Sequence, residues 1–173
     1  MKLNKEDLLL YGVTDSKYLK GRKMSELVEE AILGGVTMIQ LREKEMTHEA
    51  FKQEALDVQS VCQKHLVPLI INDDVELCKE IDADGVHIGQ DDLNLKEARK
   101  ILGEDKIIGV SAHNYEEAKI ALENGADYLG VGAIFATQTK DDAQNISMDT
   151  LNEICQKVDI PVVAIGGINQ VNI

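Results

Sequence analysis

The sequence predicts an α/β fold of the TIM (β/α)₈ barrel class, and two observations lead to that prediction. Short apolar runs that end in glycine or polar residues alternate with longer segments of helical periodicity, which is typical of βα units and a parallel sheet. Polar or glycine residues also follow every apolar run instead of gathering at one crevice. Such a ring favours a barrel, whose site is built from all the βα loops at one face, over an open doubly wound sheet.

Seven strands are predicted, at 8–14, 37–41, 68–72, 85–89, 107–111, 128–132 and 162–166. The helical stretches between them carry apolar stripes, for example Phe51, Ala55, Val58 and Cys62. A closed barrel needs eight strands and about 200 residues or more, whereas this chain has 173 residues. We therefore expect one barrel domain, residues 1–173, that is C-terminally incomplete and lacks the eighth strand and last helices.

Composition narrows the class of protein. A content of 44% hydrophobic and 28% charged residues is typical of a globular protein with a sizeable core. The formal net charge of −13 argues against nucleic acid or an anionic membrane as partner, because both would repel the chain. No leader-like or membrane-spanning apolar run is visible, so we expect a cytoplasmic protein. The 3 cysteines are far apart in the sequence and form no Cys-x-x-Cys motif. This spacing predicts reduced, mostly buried thiols and neither a disulfide framework nor a zinc site.

The run LIINDDV, which covers residues 69–75, ends a predicted strand in two adjacent carboxylates. One interpretation is structural: Asp73, three residues before Glu76, would open the next helix as a variant of the capping box. The other is a metal site, because a divalent cation removes the repulsion between clustered carboxylates and lowers their pKa values. The stretch alone leaves both interpretations open.

A second acidic loop favours the metal interpretation. Gln90, Asp91 and Asp92 follow the neighbouring strand, so one carboxylate from each loop could reach the same ion. Magnesium usually takes one or two protein carboxylates and completes its octahedron with water and phosphate oxygens of the substrate. The pattern therefore indicates Mg²⁺ and a phosphorylated substrate.

Three further loops supply groups that bind anions. In QLREK, Arg42 and Lys44 have the same side-chain phase on an extended segment and could face one anion, although a solvated loop with internal ion pairs is the alternative. FATQTKDDA adds Thr137, Thr139 and Lys140, or is simply a polar loop that leads into a helix. The paired glycines of AIGGI would let backbone approach a phosphate closely, but they are weak evidence alone.

The combined loops offer cations, hydrogen-bond donors and metal ligands, but no nucleophile. No Ser-His-Asp or Cys-His pairing is indicated, so acyl-type nucleophilic chemistry has no support. Such a site suits departure of a phosphate-type leaving group, where positioning and charge neutralisation supply most of the catalysis.

The motifs VTD, GGVTMIQLREK, LIINDDV, ADGVHIGQDDL, IIGVSAHN, GADYLGVGAIFATQTKDDA and PVVAIGGI resemble, in order, those of the thiamine-phosphate synthase family. The resemblance covers nearly the whole chain. It implies a (β/α)₈ barrel that joins a hydroxymethylpyrimidine diphosphate to a thiazole phosphate and releases pyrophosphate, with Mg²⁺ as cofactor. The enzyme would be a transferase of the pyrimidinylmethyl group in thiamine biosynthesis.

The resemblance also implies roles for individual residues. Contacts to the pyrimidine diphosphate fall on Gln40, Leu41, Arg42, Glu43, Lys44, Asn72, Ser111 and Lys140. The metal carboxylates fall on Asp73 and Asp92, and contacts to the thiazole phosphate fall on Thr137, Thr139 and Gly167. Within this set Arg42, Lys44 and Lys140 would be catalytic, because with the metal they neutralise the leaving diphosphate. The resemblance implies an eighth strand that also binds the thiazole phosphate, and the sequence ends at Ile173 before such a strand.

Two other functions stay open from the sequence. One is a thiazole tautomerase of the same superfamily, against which the presence of Asn-Asp-Asp, Gln-x-Asp and Thr-x-Thr-Lys in one chain argues. The other is a non-catalytic barrel that binds phosphorylated ligands. The expected partners are small phosphorylated molecules, with neither nucleic acid nor membrane, and the sequence is compatible with a homo-oligomer.

Overall fold

The computed structural model describes residues 3–90, 94–136 and 145–173, and all elements below belong to them. Strands and helices alternate along the chain. The strands are β1 Tyr11–Val13, β2 Met38–Leu41, β3 Leu69–Asn72, β4 Gly85–Ile88, β5 Ile107–Ala112, β6 Tyr128–Val131 and β7 Val162–Ala164. The helices are α1 Met24–Leu33, α2 His48–His65, α3 Val75–Glu80, α4 Leu95–Leu102, α5 Tyr115–Glu123 and α6 Met148–Lys157, and two 3₁₀ helices occupy Lys5–Leu8 and Ser16–Tyr18.

The chain forms two compact units, of which the first comprises Met1–His87 and Arg99–Ile107 and the second Ile88–Ala98 and Ile108–Ile173. In the first unit β1, β2, β3 and most of β4 pair in parallel and in chain order, with Leu41 opposite Ile71 and Asn72 opposite His87. In the second, β5, β6 and β7 do the same. Parallel neighbours in chain order are what consecutive βα units produce. The expectation of a single domain stays a prediction.

The core of the first unit lies around β2 and β3. Their side chains are almost all buried, as strands covered on both faces should be. In helix α2, Phe51, Ala55, Val58 and Cys62 are all buried, so the predicted stripe is confirmed. The helix begins at Thr47, whose hydroxyl accepts the backbone N–H of Ala50, and ends at Leu66 in a left-handed conformation.

The core of the second unit is built around a tyrosine. Tyr128 in β6 is fully buried and lies against the backbone of Gly109, where a Cβ atom would be only 2.0 Å from the ring. Helix α5 adds Ala118 and Ala121 to this core, and helix α6 adds Ile154. Any larger residue at position 109 would therefore displace the ring.

The structure corrects the bounds of the first predicted strand. Leu8 belongs to a 3₁₀ helix, and the side chains of Leu9 and Leu10 are 77% and 49% exposed, so only Tyr11–Val13 form β1. Apolar character alone extended the prediction, although both leucines are exposed in the described part of the chain.

Two of the three cysteines behave as predicted. Cys62 and Cys78 are free and buried, and burial raises the pKa of each thiol to about 12. Cys155 is free but exposed. In the described part of the chain, no helix has the length and apolar character needed to cross a membrane.

Candidate functional site at the strand ends

The end of β3 gives its three polar residues different positions. Asn72 is the last residue of the strand, and Asp73 adopts a left-handed backbone with φ 64°. The backbone N–H of Asp73 donates to the carbonyl of His87 at 2.8 Å, which fixes this conformation. Asp74 caps α3, because its carboxylate accepts the N–H of Leu77 at 2.8 Å. The capping interpretation of Asp73 is therefore wrong, and its carboxylate is available for another role.

The carboxylate of Asp73 meets two predicted site residues. Its Oδ2 accepts hydrogen bonds from Asn72 Nδ2 and from Lys44 Nζ, both at 2.5 Å. Lys44 follows β2 and Asp73 follows β3, and the pairing of Leu41 with Ile71 brings these two loops to the same edge of the sheet. The structure thus joins the QLREK and NDD segments, which the sequence could only place after separate strands.

Gln40 and Leu41 lie inside β2, where both are buried. The amide Nε2 of Gln40 donates to the hydroxyl of Tyr11 in β1 at 2.9 Å, which satisfies one polar group of this side chain. Arg42 is half-buried just after the strand, and its backbone N–H donates to the hydroxyl of Thr14 at 2.9 Å. Strand β2 ends at Leu41, so Arg42 and Lys44 lie outside it. The prediction that an extended strand points both side chains in the same direction therefore does not hold.

Glu43 faces a different neighbour from Lys44. Its carboxylate accepts from the Ser16 side chain, while its Oε1 is buried and has no hydrogen-bond partner within the described part of the protein. Burial raises the pKa of this carboxyl group, with the negative charge of Asp15 adding to the effect. The side chain of Glu43 therefore lies beside the 3₁₀ helix Ser16–Tyr18, which follows β1.

Sequence reasoning missed a second carboxyl group of this kind, on helix α2. Glu54 also has a buried Oε1 without a partner among the described residues. Burial raises its pKa, and the nearby charges of Glu43 and Asp57 raise it further. The signal was present, because Glu54 lies three residues after Phe51 and four before Val58, at the spacing of the buried stripe.

In the second unit Ser111 lies in β5, and its backbone carbonyl accepts a hydrogen bond from Gln90 Nε2 at 2.5 Å. Gln90 follows β4, as the sequence indicated. This contact joins the end of one predicted ligand-binding loop to the strand that carries another predicted contact.

The paired glycines after β7 are required by the backbone. Gly166 and Gly167 have φ values of 99° and 64°, which favour glycine. A Cβ atom on Gly167 would lie 2.6 Å from the carbonyl oxygen of Ala136, and Phe135 donates its N–H to Gly166 at 3.0 Å. Gly167 therefore lies directly against the segment that leads into Thr137. Four predicted site residues, Thr137, Thr139, Lys140 and Asp92, lie outside the described residues.

The described residues suit a hard cation in part. Residues 3–90, 94–136 and 145–173 contain no group of three or more His, Cys, Asp or Glu side chains placed to hold a metal ion. Asp73 nevertheless presents an oxygen that already binds a cationic ammonium group, and oxygen ligands are what Mg²⁺ prefers. One carboxylate of the predicted pair is thus compatible with the ion, and its partner, Asp92, is among the residues left undescribed.

Comparison with known proteins connects this geometry to a family. The family model described as thiamine monophosphate synthase matches residues 10–173. The chain is 53% identical to the thiamine-phosphate synthase of Clostridium tetani, over 96% of this chain and 80% of that protein. It is 55% identical to the enzyme of the same name from Clostridium acetobutylicum, over 96% of this chain and 79% of that one.

Solved structures agree. The thiamine phosphate pyrophosphorylase from Pyrococcus furiosus superposes with a TM-score of 0.88 at 38% identity, covering 98% of this chain and 80% of that one. Nitroalkane oxidase from Streptomyces ansochromogenes, at TM-score 0.69 and 17% identity over 93% of this chain and 59% of that one, shares the fold alone.

These matches confirm the predicted fold class, a (β/α) barrel of which seven strands are present in the described residues. They also confirm the resemblance that the motifs indicated. A family model that spans residues 10–173, together with relatives more than half identical over nearly the full chain, gives one conclusion. The chain belongs to the thiamine monophosphate synthase family.

Proposed function

We propose that the protein forms thiamine phosphate by transferring the pyrimidinylmethyl group of 4-amino-2-methyl-5-hydroxymethylpyrimidine diphosphate to 4-methyl-5-(2-phosphoethyl)thiazole. The bond between the methylene carbon and the diphosphate oxygen breaks, and its electron pair leaves with pyrophosphate. The electron-rich aminopyrimidine carries the resulting positive charge. The thiazole nitrogen then donates its lone pair to the methylene carbon, so no protein nucleophile is needed.

The contact of Lys44 and Asn72 with Asp73 is the observation that best supports this proposal. An ammonium and an amide from two neighbouring strand ends both donate hydrogen bonds to the same carboxylate oxygen, Oδ2 of Asp73. A diphosphate needs cations and amide donors, and a divalent ion that travels with it needs a carboxylate. The three groups are therefore the ones that a metal-bound diphosphate requires.

The other residues have supporting roles in the proposal. Arg42 and Lys140, with Lys44, neutralise charge on the leaving diphosphate, and Ser111 and the 40–44 segment hold it. Thr137, Thr139 and Gly167 bind the phosphate of the thiazole, which places its nitrogen beside the methylene carbon. Gly167 lies close to Ala136, which directly precedes the Thr-x-Thr-Lys segment in the sequence, and this supports that role.

Asp73 and Asp92 would hold Mg²⁺ in this proposal. When bound, the ion supplies charge neutralisation to the departing pyrophosphate. Asn72 contributes by donating to Asp73 Oδ2, which orients the carboxylate.

The test is product formation with both substrates and Mg²⁺, followed by liquid chromatography and mass spectrometry. We expect thiamine phosphate and pyrophosphate in equal amounts, and neither when one substrate is omitted. A tautomerase would instead convert a thiazole phosphate isomer without any pyrimidine diphosphate. Absence of both products from folded protein would overturn the proposal.

A further inference from the structure

The pair formed by Lys44 and Asp73 places two predicted functions in conflict. Lys44 is expected to bind the diphosphate and Asp73 to bind the metal, yet here each is the counter-ion of the other, at 2.5 Å. The same oxygen, Oδ2, also accepts from Asn72. A cation can approach this oxygen only after the ammonium has moved, because two positive charges at one carboxylate oxygen repel each other.

The two partners differ in their freedom to move. Asp73 is held by its backbone bond to His87 and by Asn72, and its side chain is 27% exposed. The side chain of Lys44 is 53% exposed and follows the end of β2 on a loop. Lysine also carries its charge on a flexible four-carbon stem. The ammonium is therefore the group that can leave, whereas the carboxylate stays in place.

We propose that Lys44 makes cation binding at Asp73 depend on the diphosphate. In the free protein the ammonium occupies Asp73; an arriving diphosphate attracts the ammonium and exposes the carboxylate to the divalent ion. The inference rests on the proposed function, since it assigns the diphosphate and the metal to these residues. Linkage requires the effect to be reciprocal, so that the metal strengthens binding of the diphosphate by the same factor.

The first experiment measures binding of Mn²⁺ alone, by titration calorimetry, to the wild-type protein and to Lys44→Met. The variant should bind Mn²⁺ about tenfold more tightly, which lies within the usual range of about 5- to 150-fold for coupled sites. Lys52→Met is the matched control, because it removes the same charge from an ion pair with Glu80 that is separate from Asp73. It should bind Mn²⁺ within about twofold of the wild type.

The increase in Mn²⁺ affinity of Lys44→Met must disappear in the double variant that also carries Asp73→Asn, because the released carboxylate of Asp73 causes the increase. Equal Mn²⁺ affinity in the wild type and Lys44→Met would overturn the inference. An equal increase in Mn²⁺ affinity in Lys52→Met would also overturn it, because the change in net charge alone would then explain the result.

The second experiment measures the coupling, with inorganic pyrophosphate as the probe. Its affinity is determined with Mg²⁺ and with EDTA for both proteins, and the ratio of the two affinities is compared. The complex that Mg²⁺ and pyrophosphate form in solution is the same in each case, so it cancels in the comparison. We expect a ratio about tenfold larger for the wild type than for Lys44→Met.

Equal ratios would overturn the coupling even if the protein makes thiamine phosphate. Conversely, failure to make thiamine phosphate would leave the binding comparison intact, so the two proposals can fail separately.

Discussion

At the end of β3 three consecutive polar residues have three different partners. Asn72 donates to its neighbour, Asp73 binds Lys44, and Asp74 caps α3. Asp73 has a left-handed backbone, and its carboxylate and that of Asp74 bind different partners. Adjacent acidic residues, which would repel each other as a pair, are thus each provided with donors of their own.

Glu54 presents the opposite case, a carboxyl group with a buried oxygen and no donor in the described part of the protein. Because burial raises its pKa above the ordinary value of 4.5, the folded protein retains a proton that the unfolded chain has lost. The contribution of Glu54 to the free energy of unfolding is therefore fully present below the pKa of the unfolded chain. It is lost as the pH rises through the raised pKa of the folded protein. Glu54→Gln should remove this decline.

The predicted result for Glu54→Gln is a free energy of unfolding close to that of the wild type near pH 4 and higher at pH 7, measured by urea denaturation. Glu97→Gln is the control for the loss of one negative charge, since Glu97 is exposed on α4. A variant of Glu54 that is less stable than the wild type at pH 7 would show that the carboxylate has a stabilising partner.

At the scale of elements, two strands are fastened by an aspartate that precedes another strand. Asp84, just before β4, accepts the N–H of Leu69 in β3 at 2.8 Å. Asp127, just before β6, accepts the N–H of Ile108 in β5 at 2.7 Å. Each carboxylate satisfies a backbone donor that would otherwise be left at the end of the sheet. The same aspartate contact occurs twice because the βα unit is repeated.

Asp84→Ala should lower the free energy of unfolding by about 1–3 kcal/mol, because the N–H of Leu69 loses its acceptor. Asp57→Ala, which removes an exposed carboxylate from α2, should change it by less than about 0.5 kcal/mol. The comparison is made by chemical denaturation, and equal losses would contradict the role of Asp84.

The turn after β7 allows a sharper comparison between two glycines. Gly103 has φ 81° and open space around its Cβ position, whereas Gly166 has φ 99° and a Cβ position only 2.5 Å from the side chain of Ala133. Gly103→Ala should cost about 1–2 kcal/mol, for the left-handed backbone alone. Gly166→Ala should cost about 1–3 kcal/mol more, for the overlap. Similar losses of thermal stability in both variants would contradict this account.

Sequence patterns predicted the elements better than their contacts. All seven predicted strands exist, because buried parallel strands read as apolar runs. The prediction of a strand at residues 8–10 was wrong, since hydrophobicity alone does not show whether another element covers Leu9 and Leu10. The bond of Lys44 to Asp73 was also beyond reach, because it depends on the register between β2 and β3 and on the left-handed backbone of Asp73.

At the scale of the whole molecule, the predicted ligand-binding residues are divided between the two units. Gln40–Lys44, Asn72 and Asp73 belong to the first, and Ser111 and Gly167 belong to the second. A formal charge of −13 also means that anionic substrates must find local cations, since the overall field repels them.

Removal of divalent ions should therefore abolish the activity. With excess EDTA, formation of thiamine phosphate should fall to background, because the remaining cations cannot offset the charge of the diphosphate. Added Mg²⁺ should restore it, whereas added K⁺ at equal ionic strength should not. Activity that persists in EDTA would contradict the proposed metal role of Asp73.

The most direct test of the account compares Asp73→Asn with Asp74→Asn, by steady-state formation of thiamine phosphate. Asparagine caps a helix about as well as aspartate, so Asp74→Asn should keep both the fold and the activity. Asp73→Asn should keep the fold but lower kcat/KM by about a hundredfold or more, because the proposed metal loses a charged ligand. Equal rates for the two variants would contradict the assignment of the metal to Asp73 and of the cap to Asp74.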